Sequence, residues 1–245
     1  MRFTDAYTLL KLAAIRKNSE KNYLAFQSFL GNLVINELKE RNVDLGGKIL
    51  ELGCGRGGYS TILNKQSGWF LSSDISLPEN IHSENIKFIR LDGSNLPIKK
   101  EIFDFIFCSS TIEHVPEPNK LLDECNRILK PTGTLYLTFP PFYSLPGGHK
   151  FKPFHYLGEK IAVKMLNKFN KKEVSKVNRK ITSYATAYDT HGLYVLKITD
   201  VKNLLSKSKF VIKTSWIRLS PINFSKIPIL NEFLSWHINF IAKKN

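Results

Sequence analysis

The chain has 245 residues, enough to bury the core of one domain, and its 42% hydrophobic and 23% charged content is typical of a folded protein. It has no run of about 18 apolar residues, so we expect no transmembrane helix, and Lys11 interrupts an apolar stretch too short for a secretory signal. The three cysteines lack metal-ligand spacing, which predicts free thiols in the reducing cytoplasm.

The net charge of +15 is concentrated near the C-terminus. Residues 1–149 carry 17 Lys and Arg against 16 Asp and Glu, whereas residues 150–180 carry 10 against 2 and residues 201–245 carry 8 against 1. Two interpretations stay open. The excess is either a basic face for phosphate-bearing or anionic-membrane partners, or a compositional bias toward lysine.

The first 139 residues alternate between helical and extended patterns. Apolar residues three and four apart predict helix from Tyr7 to Glu40, ended by Gly46-Gly47. A helix is predicted to begin at Tyr59 and another to cover residues 119–130. Short apolar runs predict strands over residues 48–52, 69–74, 86–90, 103–109 and 134–139. The alternation predicts an α/β, Rossmann-like fold: a mostly parallel sheet with helices on both faces.

The regular pattern stops at Pro140-Pro141. Residues 140–192 are predicted to form an inserted lid rich in aromatic residues, His and Lys. Thr199 is the predicted N-cap of a helix through Leu205, and two further strands are predicted over 210–217 and 236–242. We therefore expect one domain over residues 1–245, with four parts: a helical segment (1–46), a cofactor-binding half (47–139), the lid (140–192) and the rest of the sheet (193–245).

A glycine-rich loop follows the first predicted strand. Gly53, Gly55 and Gly58 give the spacing G-x-G-x-x-G, and Asp74 ends the second strand 21 residues beyond Gly53. Glycines let the backbone turn sharply and approach a ligand, and the acid can accept hydrogen bonds from ribose hydroxyls. A glycine loop and an acid at this spacing are equally typical of a dinucleotide site. The loop by itself therefore leaves a nicotinamide-dependent oxidoreductase as an alternative.

Two acidic positions favour S-adenosylmethionine over a dinucleotide. Glu51 stands two residues before the first glycine, where its carboxylate can face a cationic ligand. S-adenosylmethionine carries an ammonium and a sulfonium and no phosphate, whereas a pyrophosphate would be repelled. Asp92-Gly93, after the third strand, is placed to accept a hydrogen bond from the adenine amine.

Residues 48–139 resemble the small class I S-adenosylmethionine-dependent methyltransferases of the ubiquinone- and menaquinone-biosynthesis-like group. The motifs that carry the resemblance are Glu51–Gly58, Phe103–Val115 and Ile128-Leu-Lys-Pro-Thr-Gly133, in which Thr132 stands where the family often has a glycine. The resemblance implies a seven-stranded, mostly parallel sheet whose last strand is antiparallel. It also implies cofactor contacts by position: the methionine moiety with Gly53, Cys54 and Gly55; the ribose with Asp74; the adenine with Asp92, Gly93 and Ser94; and backbone contacts from Ser109 and Ser110.

Acceptor selectivity is expected in residues 140–156, because strand five leads into them at the edge where open α/β sheets bind ligands. His149 and His155 are candidate catalytic bases. Candidate substrate contacts are His114, Tyr143 and Tyr156. A lid whose aromatic residues only pack together is the alternative. We expect no metal site, because the sequence shows no grouping of His, Asp and Glu; a single ion recruited with the substrate is the alternative.

These features predict S-adenosylmethionine-dependent O-methylation of a small or lipid-linked acceptor, such as a glycan sugar. An RNA or protein methyltransferase and a catalytically inactive cofactor-binding scaffold are alternatives. Nucleic acid is not an expected partner, since Ser109–Ile112 lacks an Asn-Pro-Pro-Tyr-type signature. A basic amphipathic helix predicted over residues 157–180 and an apolar stretch over 221–236 favour peripheral contact with an anionic membrane; the alternative is a lid helix with a solvated lysine face.

Overall fold

The computed structural model describes residues 3–78, 81, 85–220, 227 and 230–245. The helices are α1 (Phe3–Ile15), α2 (Glu20–Glu40), α3 (Ser60–Asn64), α4 (Pro118–Ile128), α5 (Glu159–Phe169), α6 (Lys171–Val174), α7 (Ile198–Lys207) and α8 (Leu230–Leu234). The strands are β1 (Lys48–Leu52), β2 (Trp69–Asp74), β3 (Lys87–Arg90), β4 (Phe103–Ser109), β5 (Leu129–Phe139), β6 (Phe210–Ile217) and β7 (Ile238–Lys244).

The seven strands of the described chain form one sheet in the order β3-β2-β1-β4-β5-β7-β6. The first five pair in parallel, and β7 runs antiparallel to both β5 and β6. This confirms the predicted Rossmann-like architecture with its antiparallel last strand. The central strand β4 is mostly buried because helices cover both faces of the sheet, which explains its nearly continuous apolar sequence.

Alternate residues of each strand point to opposite faces and build two cores. On one face Leu50 and Ile106 pack with apolar side chains of α4 and α7. On the other face Ile49 and Phe107 pack with side chains of α2 and α3. The lid has a third apolar cluster of its own, which joins Phe142 and Phe151 to α5 and to Tyr184.

The prediction of one continuous helix from Tyr7 to Glu40 was wrong. Two helices occupy this region, because the Ser19 hydroxyl accepts a hydrogen bond from the Asn22 N–H (3.1 Å) and caps a new helix there. The second helix ends at Glu40, before Gly46-Gly47.

Helix α4 ends at Ile128, because β5 begins at Leu129 and not at its predicted start, residue 134. Two further helices differ more from the predictions. Helix α7 is capped at Lys197, whose N–H donates to the Asp200 carboxylate (3.0 Å), so Thr199 lies inside the helix. The basic helix predicted over 157–180 ends at Phe169, and Asn170 caps the short α6 instead. Much of the predicted apolar stretch over 221–236 lies outside the described residues. Of the helices described, none combines the length and the apolar character needed to cross a bilayer.

Candidate active site

The carboxyl ends of β1, β2 and β4 meet at one edge of the sheet. Leu52 of β1 pairs with Ser73 of β2 on one side and with Cys108 of β4 on the other. The glycine loop, Asp74 and the segment after Ser109 therefore start side by side. Ligands of open α/β sheets bind at this kind of edge.

The glycine loop has a backbone that other residues adopt rarely. Gly53 and Gly55 have φ angles of +78° and +55°. A side chain on Gly53 would overlap the Thr111 hydroxyl, so the loop lies directly on the segment after β4. A Cβ on Gly55 would meet nothing within 4 Å among the described residues, so this face of the loop is open to a ligand.

Asp74 joins the loop to the end of β2. Its Oδ2 accepts a hydrogen bond from the Gly55 N–H (2.8 Å), and its Oδ1 accepts one from the Ser76 N–H (2.9 Å). Each carboxylate oxygen has a second lone pair for a ligand hydroxyl. The placement fits the predicted ribose contact.

Glu51 lies buried between β1, β2 and α3, with 1% of its surface exposed. Its Oε2 accepts hydrogen bonds from the hydroxyls of Ser60 (2.5 Å) and Ser72 (2.9 Å). Burial nevertheless raises the pKa of this carboxyl to about 7. Near neutral pH the Glu51 carboxyl is therefore close to its pKa, and a cationic ligand beside it would favour the ionised form.

The residues predicted to contact adenine and methionine lie around the same edge. The Leu91 N–H donates to the Asp74 carbonyl (3.0 Å), which brings Asp92, Gly93 and Ser94 next to the end of β2. Asp92 is exposed, and its Oδ1 accepts from the Ser94 N–H (2.8 Å). Cys54 is buried with a thiol whose pKa burial raises to about 12, so it is a neutral packing group.

Ser109 and Ser110 contact residues that the sequence did not single out. The Ser109 hydroxyl accepts a hydrogen bond from Arg218 (3.2 Å), which is 4% exposed and also donates to Thr138 (2.9 Å). The Ser110 hydroxyl lies 3.2 Å from Nε2 of His237. No local motif indicates either partner, because both come from the antiparallel end of the sheet.

A cluster of Glu113, His114 and His149, called here the Glu-His cluster, lies just beyond β4. One potential ligand atom of each residue lies within 4.8 Å of the others, and Nε2 of His149 is 4.0 Å from Oε1 of Glu113. Tyr188 and His191 complete its surroundings: their rings stack at 4.5 Å, and the His191 ring is 4.7 Å from that of His114. The sequence predicted both histidines but missed Glu113.

Burial controls the charge of the Glu-His cluster. It raises the pKa of Glu113 to about 8 and lowers the pKa values of His114 and His149 to about 4 and about 3. Both imidazoles are therefore neutral at pH 7. Burial also lowers the pKa of His191, and the charge of Asp74 opposes that change, so the cluster lies within electrostatic reach of the predicted ribose site.

His155, Tyr143 and Tyr156 lie apart from the Glu-His cluster. They line a lid cavity of about 310 Å³ together with Phe142 and Tyr184. His155 is 1% exposed, and its ring packs edge-on against Phe142 at 5.6 Å. The structure thus divides the predicted acceptor residues between two places.

A family model described as a methyltransferase domain matches residues 50–137, which include the glycine loop, Asp74, Asp92 and the start of the Glu-His cluster. Residues 50–137 therefore form a methyltransferase domain. The match lies within the predicted cofactor-binding half (47–139) and leaves the whole lid outside it.

Curated relatives match less than half of this chain. An uncharacterized methyltransferase of Mycobacterium bovis is 28% identical over 121 residues, which cover 46% of this chain and 47% of the relative. A ubiquinone biosynthesis O-methyltransferase of Xylella fastidiosa is 32% identical over 108 residues, 38% of this chain and 42% of the relative. The chain spans less than half the length of these relatives.

Solved structures show the same fold over most of the chain. An S-adenosylmethionine-dependent methyltransferase of Clostridium acetobutylicum superposes with a TM-score of 0.58 at 17% identity and covers 88% of this chain and 90% of its own. One of Mesorhizobium loti gives a TM-score of 0.55 at 17% identity, with 82% and 93% covered. At this identity the likeness concerns the fold.

Proposed function

We propose that this protein transfers the methyl group of S-adenosylmethionine to an oxygen atom of a small or lipid-linked acceptor. The observation that carries the proposal is the adjacency of two sets of residues. The cofactor residues predicted by position end at Ser109 and Ser110, and the buried Glu-His cluster begins at Glu113, on the same segment after β4.

The glycine loop and its acids fit the cofactor. The open face at Gly55 leaves room for the methionine moiety, Asp74 offers lone pairs to the ribose, and Glu51 supplies negative charge beneath a ligand that is cationic. When bound, S-adenosylmethionine supplies a methyl group on a sulfonium, which is already a strong electrophile. The protein then has to align the acceptor oxygen with that methyl group and exclude water.

An oxygen acceptor suits the Glu-His cluster. Its neutral imidazoles can accept a hydrogen bond from a hydroxyl, and its carboxyl is buried with both oxygens lacking a hydrogen-bond partner in the described part of the chain. The ubiquinone biosynthesis O-methyltransferase among the relatives gives independent support for oxygen. A sugar hydroxyl is the acceptor we propose, with His149 contacting it and with Tyr143, Tyr156 and His155 on the lid side.

A lipid-linked form of the acceptor is favoured by an apolar rim on the lid. The rim consists of exposed side chains that are each 43–58% accessible: Tyr156, Leu157, Phe233, Leu234 and Trp236. The rings of Tyr156 and Phe233 stack at 6.4 Å, so α8 and the lid share this surface. The neighbouring helix α5 carries the exposed lysines Lys160, Lys164 and Lys168. Apolar side chains beside lysines suit an anionic lipid surface.

Calorimetry with S-adenosylhomocysteine and NAD tests the cofactor. We expect binding of the first and none of the second; the reverse would support an oxidoreductase and overturn the proposal. Comparison of glycans and lipids from cells with and without the gene should then reveal a species heavier by one methyl group. An unchanged glycan and lipid profile with a methylated RNA or protein would contradict the acceptor class.

Co-sedimentation with vesicles of anionic and of neutral lipid tests the apolar rim. Binding should require anionic lipid and weaken with salt, and Trp236→Ser should reduce it. Leu10→Ser, at an exposed leucine of α1 (71% accessible), is the matched control and should bind as the parent does. Equal sedimentation with neutral and anionic vesicles, or none with either, would contradict a membrane-bound acceptor.

A further inference from the structure

We propose that Glu113, His114 and His149 bind one divalent transition-metal ion of the Zn²⁺ type beside the methyl-transfer site. The role assigned to the ion rests on the proposed function, whereas the ion's binding does not. Two imidazoles with one carboxylate form a ligand set that zinc and its neighbours in the first transition series accept.

The cluster is close to bonding dimensions. One ligand atom of each side chain lies within 4.8 Å of the others, and the His149 Nε2 to Glu113 Oε1 distance is 4.0 Å. Ligands bound at about 2.0–2.2 Å from one ion lie roughly 3–4 Å apart. Side-chain rotations that move each ligand atom by about 1 Å would therefore place all three atoms at bonding distance from one ion.

The carboxylate of Glu113 is an independent indication of a missing cation. This side chain is 2% exposed, and neither of its oxygens has a hydrogen-bond partner within the described residues. A buried carboxylate without hydrogen-bond partners is unfavourable, because it has lost its hydration. The positive charge of Arg218 offsets only part of that loss. A divalent ion supplies the missing partner and favours the ionised form.

The two histidines are oriented as ligands. Nδ1 of His114 is 2.7 Å from the Gly192 carbonyl. A carbonyl only accepts, so Nδ1 carries the proton and Nε2 keeps a free lone pair, as in metal sites where a second contact fixes the tautomer. Nδ1 of His149 lies 3.2 Å from the Tyr188 hydroxyl, which leaves its Nε2 for the ion.

The backbone of the lid holds His149 in an unusual conformation. Its φ angle is +47°, in the left-handed region that a non-glycine residue rarely occupies. Such strain is retained where the surroundings require one side-chain position, often at a functional site. Here it presents the imidazole to Glu113.

Three protein ligands leave a coordination position for the acceptor. A bound hydroxyl would lose its proton to solvent near neutral pH, because the ion lowers the pKa of an oxygen that it coordinates. The alkoxide oxygen then forms its bond to the methyl carbon as the carbon–sulfur bond breaks, and the sulfonium becomes a neutral thioether. This route needs no strong protein base.

Titration of the metal-free full chain with Co²⁺ tests the site without any turnover. We expect one ion per chain, with visible absorption typical of low-coordinate cobalt, and competition by Zn²⁺. Glu113→Gln, which keeps the side-chain shape, and His149→Ala should each weaken Co²⁺ binding about tenfold or more. Glu117→Gln removes an exposed carboxylate four residues away and should bind Co²⁺ as the parent does.

The outcomes separate this site from the proposed function. Absence of Co²⁺ binding, or equal binding by the parent and both cluster variants, overturns the metal site. Binding of S-adenosylhomocysteine is measured on the same metal-free chain. If the chain binds Co²⁺ but not S-adenosylhomocysteine, the proposed function is contradicted and the metal site is retained. Thermal unfolding shows whether Glu113→Gln is folded. If it is not, Co²⁺ binding by His149→Ala decides the test.

Discussion

The Ser60 hydroxyl donates a 2.5 Å hydrogen bond to the buried carboxylate of Glu51. Ser72 donates a second one to the same oxygen at 2.9 Å, and both bonds favour the ionised acid. Desolvation has the larger effect and raises the pKa of Glu51 to about 7. The acid under the glycine loop is therefore half-ionised near neutral pH before any ligand binds, which makes its charge responsive to a cationic cofactor.

The first prediction concerns stability against pH. The folded pKa of Glu51 (about 7) exceeds its usual value of 4.5, so its neutral form favours folding. That contribution is present below about pH 4.5 and is lost as the pH rises through about 7, by roughly 3 kcal/mol at about 1.4 kcal/mol per pKa unit. Urea denaturation should show the parent losing stability relative to Glu51→Gln between about pH 5 and pH 8. A difference that does not vary with pH would contradict the raised pKa.

The second prediction concerns protons released on binding. A cationic cofactor favours ionised Glu51, so binding of S-adenosylmethionine below about pH 7 should release protons, and its affinity should rise with pH. Calorimetry in buffers of different ionisation enthalpy measures the release directly. Glu51→Gln should abolish it, whereas Glu117→Gln should leave it unchanged. Identical heats in all buffers would show that Glu51 does not respond to the ligand.

The third prediction compares two glycines. Gly53→Ala places a side chain against Thr111 at a φ of +78°, which costs about 1–2 kcal/mol for the conformation alone. We expect S-adenosylhomocysteine affinity to fall about tenfold or more. Gly68→Ala is the matched control, because nothing lies within 4 Å of its Cβ among the described residues. Equal losses in both variants would point to a general loss of stability.

The sequence predicted those parts of the fold that depend on local pattern. The boundaries of β1, β2, β4 and β6 agree with the strands predicted for them, because each strand is short and its pattern lies in consecutive residues. The break at Ser19 was missed because the polar run from Arg16 to Asn22 has no glycine or proline to mark a helix end, and a cap needs only one side chain.

The candidate site was predictable only where its residues lie on one segment. The loop from Gly53 to Gly58 has a motif, but Glu113 meets His149 across 36 positions and Arg218 meets Ser109 across 109. Packing of the lid and of the antiparallel strands creates these contacts, and no local spacing encodes them. The sequence therefore placed Glu113 in a family motif without a role of its own, although the fold leaves only 2% of it exposed.

The last prediction separates the two lid histidines. His149→Ala removes a side chain that contacts the Glu-His cluster, so turnover should fall while S-adenosylhomocysteine affinity stays at the parent value. His155→Ala removes a ring from the wall of the lid cavity, beside Phe142 and Tyr156, so turnover should fall together with the thermal stability of the lid. Steady-state kinetics, calorimetry and thermal unfolding on the same preparations measure the three quantities. Full activity in both variants would exclude both histidines from the reaction, because each would then only pack against its neighbours.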